Sequence, residues 1–268
     1  MDITINADPV WRQDGTTLLE LAESMNHLED IMIVNGYQMQ EDYQLKQGDI
    51  VHFIPKGRMP DKEELKSMLT ARHTPGVQSK VEQSVVGIAG LGGLGSQIAV
   101  LLARTGVGTL RLVDFDVVEP SNLNRQHYFI SHLAMAKTTA LAQQIESINP
   151  YLKVETNQVR INGANAKQLF EGCDVVCEAL DDPEAKAELV STLLSQAPGI
   201  KIVAASGMAG FESSNKIRSF RKMKNLYVCG DMTSEAKPGN GLMAPRVAVC
   251  AAHQANMVLR LLLGIEEP

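Results

Sequence analysis

Val85-Val86-Gly87-Ile88-Ala89-Gly90-Leu91-Gly92-Gly93-Leu94-Gly95 decides the fold. Small apolar and β-branched residues from Val85 to Ala89 predict a buried parallel strand. Gly90, Gly92 and Gly95 fall on the G-x-G-x-x-G spacing that opens a Rossmann-type helix. Gly90 permits the tight turn, Gly92, with Gly93 beside it, lets phosphate approach bare backbone, and Gly95 allows close packing of helix on strand. Unpaired N–H groups at the helix start attract anions. Asp114, ending the next predicted strand, is placed to take a ribose hydroxyl. Alone, this fingerprint points to NAD.

The residues after Asp114 point elsewhere. Asp114-Phe115-Asp116-Val117-Val118-Glu119-Pro120-Ser121-Asn122-Leu123-Asn124-Arg125-Gln126 is followed at a helical distance by Lys137. A hydride-transfer enzyme has no need of such a polar segment. Arg and Lys reaching a glycine-rich anion site from two directions are what a triphosphate requires before another anion can attack it. Asp116, Asn122, Arg125, Gln126 and Lys137 therefore join the glycines and Asp114 as candidate nucleotide contacts. Downstream, Cys173-Asp174-Val175-Val176-Cys177-Glu178-Ala179-Leu180 predicts another buried strand, with Asp181 at its carboxyl edge and Pro183 starting a helix. Asp181 is the candidate magnesium ligand, and Asp182, before Pro183, the helix cap.

From Arg72 to Leu263 these residues, together with Met243-Ala244-Pro245-Arg246 entering the last helix, resemble the ThiF/MoeB family, bacterial relatives of ubiquitin-activating enzymes. The resemblance implies adenylation of the C-terminal glycine of a ubiquitin-like sulfur carrier, with ATP and magnesium as cofactors and a sulfur donor protein downstream. The stretches Asn124 to Phe129 and Leu242 to Arg246 look most like the ThiF branch of thiamine biosynthesis. Arg125, Lys137 and Asp181 would be the catalytic set. Arg72 resembles the arginine that relatives lend to a partner's ATP site, which implies a homodimer, although its spacing to the glycine turn is shorter than in MoeB-like proteins.

The first sixty residues support the same assignment. Ile3 and Ile5 alternate with polar neighbours, Asp14-Gly15 reads as a turn, and Thr17-Leu18-Leu19-Glu20 is a capping box opening an amphipathic helix through about His27. Asn35-Gly36 is a favoured hairpin turn after Ile31 to Val34, and Ile50 to Ile54 is a further strand. This order resembles the β-grasp fold of ThiS and MoaD, the carriers that such enzymes activate. Free carriers end in Gly-Gly. Here the equivalent stretch, Phe53-Ile54-Pro55-Lys56-Gly57-Arg58-Met59-Pro60, has one glycine and continues, so it offers no carboxylate. A module tethered at both ends is expected to compete with a free carrier without being consumed.

The expected fold is α/β: a small β-grasp domain over residues 1–57, a linker with a helix from Asp61 to Leu69 over residues 58–80, and a Rossmann-type domain over residues 81–268. In the last, strands near Val85, Thr109, Val154, Asp174 and Lys201 form a mostly parallel sheet, and an antiparallel extension runs from Gly210 to Val228. A chain of 268 residues, 44% hydrophobic, can build a large core and a small appended one. Its net charge of -6 argues against nucleic acid as the main partner. No basic start or sustained apolar run reads as a leader or membrane span, so a cytoplasmic enzyme without membrane contact is expected.

Cys173, Cys177, Cys229 and Cys250 form no C-x-x-C pair. Many family members hold a structural zinc with two such pairs, so no zinc is expected here. Cys229 reads as a small apolar strand residue and Cys250 as core. Three rivals stand beside the carrier reading. They are an NAD-linked oxidoreductase, which leaves Arg125 and Asp181 without a role; a relative that adenylates a tRNA-bound carboxylate; and a non-catalytic scaffold whose own β-grasp module fills the carrier groove.

Overall fold

A computed structural model describes residues 1–57 and 61–268. Arg58, Met59 and Pro60, the end of the stretch compared above with a carrier tail, lie outside the described residues. The chain divides into two compact units, Met1–Ser79 and Lys80–Pro268.

The first unit contains β1 (Asp2–Ile5), β2 (Asp8–Trp11), α1 (Leu18–Ser24), β3 (Ile31–Val34), β4 (Tyr37–Gln38), β5 (Ile50–Ile54) and α2 (Lys62–Thr70). Its sheet has the order β2-β1-β5-β3-β4, with β1 and β5 parallel and the other neighbours antiparallel, the β-grasp arrangement. Asn35-Gly36 turns between β3 and β4 with φ of 52° and 84°, both left-handed as a two-residue hairpin requires. The β1–β2 turn has the same character but is made by Asn6-Ala7, at φ of 48° and 79°, a place where sequence offers no glycine. Thr17 and Glu20 form the expected capping box. α1 stops at Ser24, short of His27, because Asn26 enters the left-handed region at φ 61°.

Alternation along β5 sorts the core. Val51 and Phe53 pack with Leu18, Leu21 and Ala22 of α1. His52 and its cross-strand neighbour Ile33 take the opposite face, where both are buried. There α2, capped by Asp61, brings Ser67 Oγ to 3.1 Å from His52 Nδ1. Beyond α2 the backbone approaches Gly36 so closely that a Cβ there would lie 2.5 Å from the His73 carbonyl oxygen. The helix expected in the linker is therefore packed on the sheet of the first unit.

The second unit follows a short α3 (Gln78–Val81) with β6 (Val85–Ala89), α4 (Gly95–Thr105), β7 (Thr109–Val113), α5 (Lys137–Ile148), β8 (Lys153–Asn157), α6 (Ala166–Leu169) and β9 (Val175–Glu178). It ends with α7 (Pro183–Gln196), β10 (Lys201–Ala205), β11 (Arg218–Met223), β12 (Leu226–Gly230) and α8 (Ala244–Leu262). The sheet order is β11-β12-β10-β9-β6-β7-β8. Residues of α4, α5 and α8 pack with one face of the sheet, and residues of α6 and α7 with the other. The antiparallel extension is narrower than its sequence suggests. Only β11 runs antiparallel, because β12 returns from it through a hairpin to lie parallel to β10, leaving β11 as a charged, mostly exposed edge.

The chain runs outward from β6 to β7 and β8, then crosses back to place β9 on the other side of β6. This reversal opens a crevice at the carboxyl ends of the central strands, where open α/β sheets bind ligands. Among the described residues no helix is long and apolar enough to cross a membrane.

Candidate active site

The glycine turn forms the floor of that crevice. Gly90, at φ 87°, donates its N–H to the Val113 carbonyl at 2.9 Å, and a Cβ on it would sit 2.8 Å from the Ala179 oxygen. A Cβ on Gly95 would lie within the Gly90 carbonyl, so the first turn of α4 can touch the strand only if this residue is glycine. Gly92 is open, with the Gln126 amide as its nearest neighbour at 3.8 Å from a built Cβ. α4 begins without a side-chain cap; its Ser96 N–H is taken by the Gly92 carbonyl at 3.1 Å, and the Gly92 and Gly93 N–H groups just ahead of the helix are left for an anion.

Asp114 has a second task besides the expected ribose contact. Its Oδ2 accepts the Leu91 N–H at 2.6 Å and its Oδ1 the Asp116 N–H at 2.8 Å, while Tyr128 Oη donates to the Leu91 carbonyl at 2.8 Å. One carboxylate thus holds the glycine turn and the start of the next loop together.

A cavity of about 710 Å³ rises from this floor, within the range of small-molecule sites. Gly90, Gly92, Gly93, Asp114, Asp116, Arg125, Gln126, Lys137 and Asp181 all line it, so residues predicted from separate stretches converge on one space. Lys137 opens α5 and is nearly buried, its Nζ 2.9 Å from Asp116 Oδ2. Arg125 Nη1 donates to the Ser121 carbonyl and to Asn124 Oδ1, both exposed partners that a phosphate can replace. Gln126 is buried with Oε1 unpaired. Asp182 caps α7, accepting the Glu184 N–H at 2.8 Å, and the neighbouring Asp181 remains at the cavity wall.

Three predicted residues lie outside the cavity lining. Gly95 acts from behind, through packing. Asn122 accepts the Glu119 N–H at 3.0 Å and shapes the turn that leads to Arg125. Arg72 belongs to the first unit, where its Nη2 donates to Gln38 Oε1 at 2.6 Å.

The opposite wall holds charges that the sequence reading passed over. Lys186, in the first turns of α7, donates at 2.6 Å to the Ala205 carbonyl and lies 3.1 Å from Glu178 Oε2. Burial pushes the Glu178 carboxyl up, and Lys186 opposes that shift. Behind the Ser206 to Ala209 edge, Asp231 binds Arg246 and the Ser234 hydroxyl. Burial raises the Asp231 carboxyl, but the hydrogen bonds from Ser234, Thr233 and Arg246 outweigh it and hold the group well below the usual carboxylate range. Partners eight and fifteen positions apart leave no periodic signal. The charged Arg246 opening an apolar helix was the cue available.

All four cysteines are free and buried, and burial pushes Cys229 up to about 11 and Cys250 up to about 12. Such thiols are protonated and inert at neutral pH. Among the described residues no group of three or more His, Cys, Asp or Glu side chains could hold a metal ion. Magnesium needs less, since it is commonly bound through one or two carboxylates and completed by phosphates and water. Asp181 fits that use.

A glycine turn at the switch point of a mostly parallel sheet, ringed by cations, defines a Rossmann-class nucleotide-binding protein. The chain belongs to the ThiF family, whose model matches residues 65–268, and residues 1–57 match ThiS-like ubiquitin. The chain is similar to adenylyltransferase and sulfurtransferase UBA4 of Saccharomyces cerevisiae, at 34% identity over 196 residues, 70% of this chain and 44% of that protein. The protein of the same name from Yarrowia lipolytica is 30% identical over 183 residues, 66% of this chain and 46% of that one. The chain spans less than half the length of these curated relatives. Among solved structures, E. coli tRNA N6-threonylcarbamoyladenosine dehydratase in complex with ATP aligns with TM-score 0.68 and 20% identity over 77% of this chain and 98% of that one. E. coli MccB with ATP aligns with TM-score 0.58 and 21% identity over 80% and 74%. At these identities the likeness concerns the fold.

Proposed function

We propose that the chain adenylates the C-terminal glycine of a ubiquitin-like sulfur carrier, a ThiS-like protein of thiamine biosynthesis, with ATP as cosubstrate and pyrophosphate as product. The observation that carries this reading is the convergence of an anion-ready glycine turn, Arg125, Lys137 and Asp181 on one cavity. The carrier carboxylate is ionised at neutral pH and needs no general base. The protein's task is therefore alignment and charge neutralisation. The glycine turn cradles phosphate, Asp114 takes the ribose, and Lys137 exchanges Asp116 for a phosphate oxygen. Arg125 turns from its exposed partners to the charge that develops at the α-phosphorus. Magnesium held by Asp181 would supply further positive charge to the phosphates. The acyl-adenylate formed is the species a sulfur donor protein would then consume.

Arg72 is assigned to the ATP site of a second copy. Mixing Arg72→Ala with Asp181→Ala chains should then restore exchange, because a mixed dimer contains one intact site. The β-grasp unit is assigned as an intramolecular competitor of the free carrier. Deleting residues 1 to about 56, which leaves Arg72 in place, should lower the apparent KM for the carrier and leave ATP affinity nearly unchanged.

ATP–pyrophosphate exchange tests the main reading. Exchange that requires a ThiS-like protein ending in Gly-Gly is the expected result. Exchange driven by tRNA instead, or preferential binding of a nicotinamide nucleotide over ATP, would replace the carrier reading with one of its rivals.

A further inference from the structure

Lys186 takes no part in the steps above, yet its placement is specific. The side chain extends from α7 to the carboxyl ends of β9 and β10, where Nζ meets the Ala205 carbonyl at 2.6 Å and Glu178 Oε2 at 3.1 Å. Glu178 is fixed at two points: its Oε1 accepts the Leu180 N–H at 2.8 Å, and Gln254 Nε2 donates to its backbone carbonyl at 3.1 Å. An ammonium carries three donors. One is given to the Ala205 carbonyl, while Glu178 Oε2 pairs with the ammonium by charge and is itself without a hydrogen-bond partner. Lys186 also lines the cavity and its side chain is 29% exposed, whereas Glu178 is fully buried, so the pair opens to the cavity only through its cation.

A buried ion pair contributes little net stability, because desolvation offsets the attraction. A cation that cannot move is nonetheless valuable to a reaction between two anions, since it needs no reorganisation when charge arrives. The phosphate-facing groups, Gly92, Gly93, Arg125 and Lys137, come from the β6 and β7 side of the crevice. Lys186 comes from the β9 and β10 side and lines the cavity with Ser206, Gly207 and Met208.

We propose that Lys186 positions the attacking carboxylate, donating a free N–H to one oxygen of the substrate's C-terminal glycine so that the other faces the α-phosphorus. This rests on the adenylation reading. In the step it serves, the free carboxylate oxygen forms the new bond to the α-phosphorus. The bond from that phosphorus to the bridging oxygen breaks, and its electron pair leaves on pyrophosphate. No proton moves. Glu178 and the Ala205 carbonyl keep the ammonium from swinging to the triphosphate, which would otherwise attract it more strongly than a single carboxylate.

The test is pyrophosphate exchange by the full-length chain with a ThiS-like protein ending in Gly-Gly, varying carrier and ATP separately, with ATP affinity measured by calorimetry. Lys186→Met should lower kcat/KM for the carrier at least about tenfold, the loss of one charge-assisted contact, while ATP affinity stays within about twofold, well under 1 kcal/mol. Lys186→Arg should restore much of the loss. Unchanged carrier kinetics in Lys186→Met would overturn the proposal, as would a parallel fall in carrier and ATP affinity, the signature of a structural strut. If that variant does not fold, Glu178→Gln serves instead, since releasing the ammonium should impair the carrier parameters alone, and no change in them overturns the assignment. Wild-type chain that binds ATP but shows no exchange with the carrier overturns the adenylation reading itself, and this inference with it.

Discussion

The two sheets of this chain treat their polar groups differently. In the first unit, Asp49 is buried but accepts from Asn35 Nδ2 and the Lys46 N–H, both at 2.8 Å, and Asn6 Oδ1 accepts the Phe53 N–H at 2.9 Å. In the second, six side-chain atoms on Gln126, Glu178, Tyr227, Arg246 and Gln254 are buried without a hydrogen-bond partner. Among the described residues every such orphan belongs to this unit. Leaving a buried polar group unmade costs about 1–3 kcal/mol. A sheet covered on both faces with its donors matched is finished as a structure. The second sheet is covered on both faces too, yet its unit leaves buried donors and acceptors unmatched, one of them on Gln126 at the cavity wall.

The sharpest way to break this contrast is at the cavity. Asp181→Ala and Arg125→Ala should each reduce exchange by about a hundredfold or more, roughly the 3–4 kcal/mol of a transition-state contact, with melting temperature nearly unchanged. Near-normal exchange in Asp181→Ala would remove its metal assignment. Gly95→Ala should act by stability instead, since its Cβ meets backbone that cannot give way. A loss of about 3 kcal/mol in denaturant unfolding is expected, together with lost ATP binding. Thr17→Ala removes a helix cap from the first unit and should cost it about 1 kcal/mol while leaving exchange by the second unit intact. The smallest effect concerns His52. Burial lowers its pKa from the ordinary 6.5, so the unfolded chain binds the proton more readily. Stability of the first unit is full above pH 6.5 and falls as pH drops below it toward the folded value. Hydrogen exchange of β5 should speed up in acid, and His52→Gln should remove that pH dependence.

Much of the second unit is legible because its signals are local. Val85 to Ala89 forms a strand with the bounds its composition predicts, and Gly90 and Gly95 meet backbone where the fingerprint requires glycine. Asp182 caps α7, its carboxylate accepting the Glu184 and Ala185 N–H groups, and Pro183 at the first helical position marks the place in the sequence. What escaped depends on contacts between distant residues. The Asn6-Ala7 turn is held partly by Asn6 reaching Phe53, 47 positions away. The direction of β12 follows from where β10 already lies. Lys186 reads as an ordinary helix charge until the Glu178 carboxylate and the Ala205 carbonyl are seen beneath it.

The helix laid over the second face of the β-grasp sheet has a consequence for the chain's covalent continuity. Because α2 is held by packing around His52 and Ser67, a backbone cut between Gly57 and Asp61 need not release the first 57 residues. The two pieces would behave as complementing fragments, comigrating under native conditions and separating only in denaturant. A new carboxylate at Gly57 would then belong to a chain still docked on its own helix, so proteolysis alone would not turn this module into a diffusible carrier.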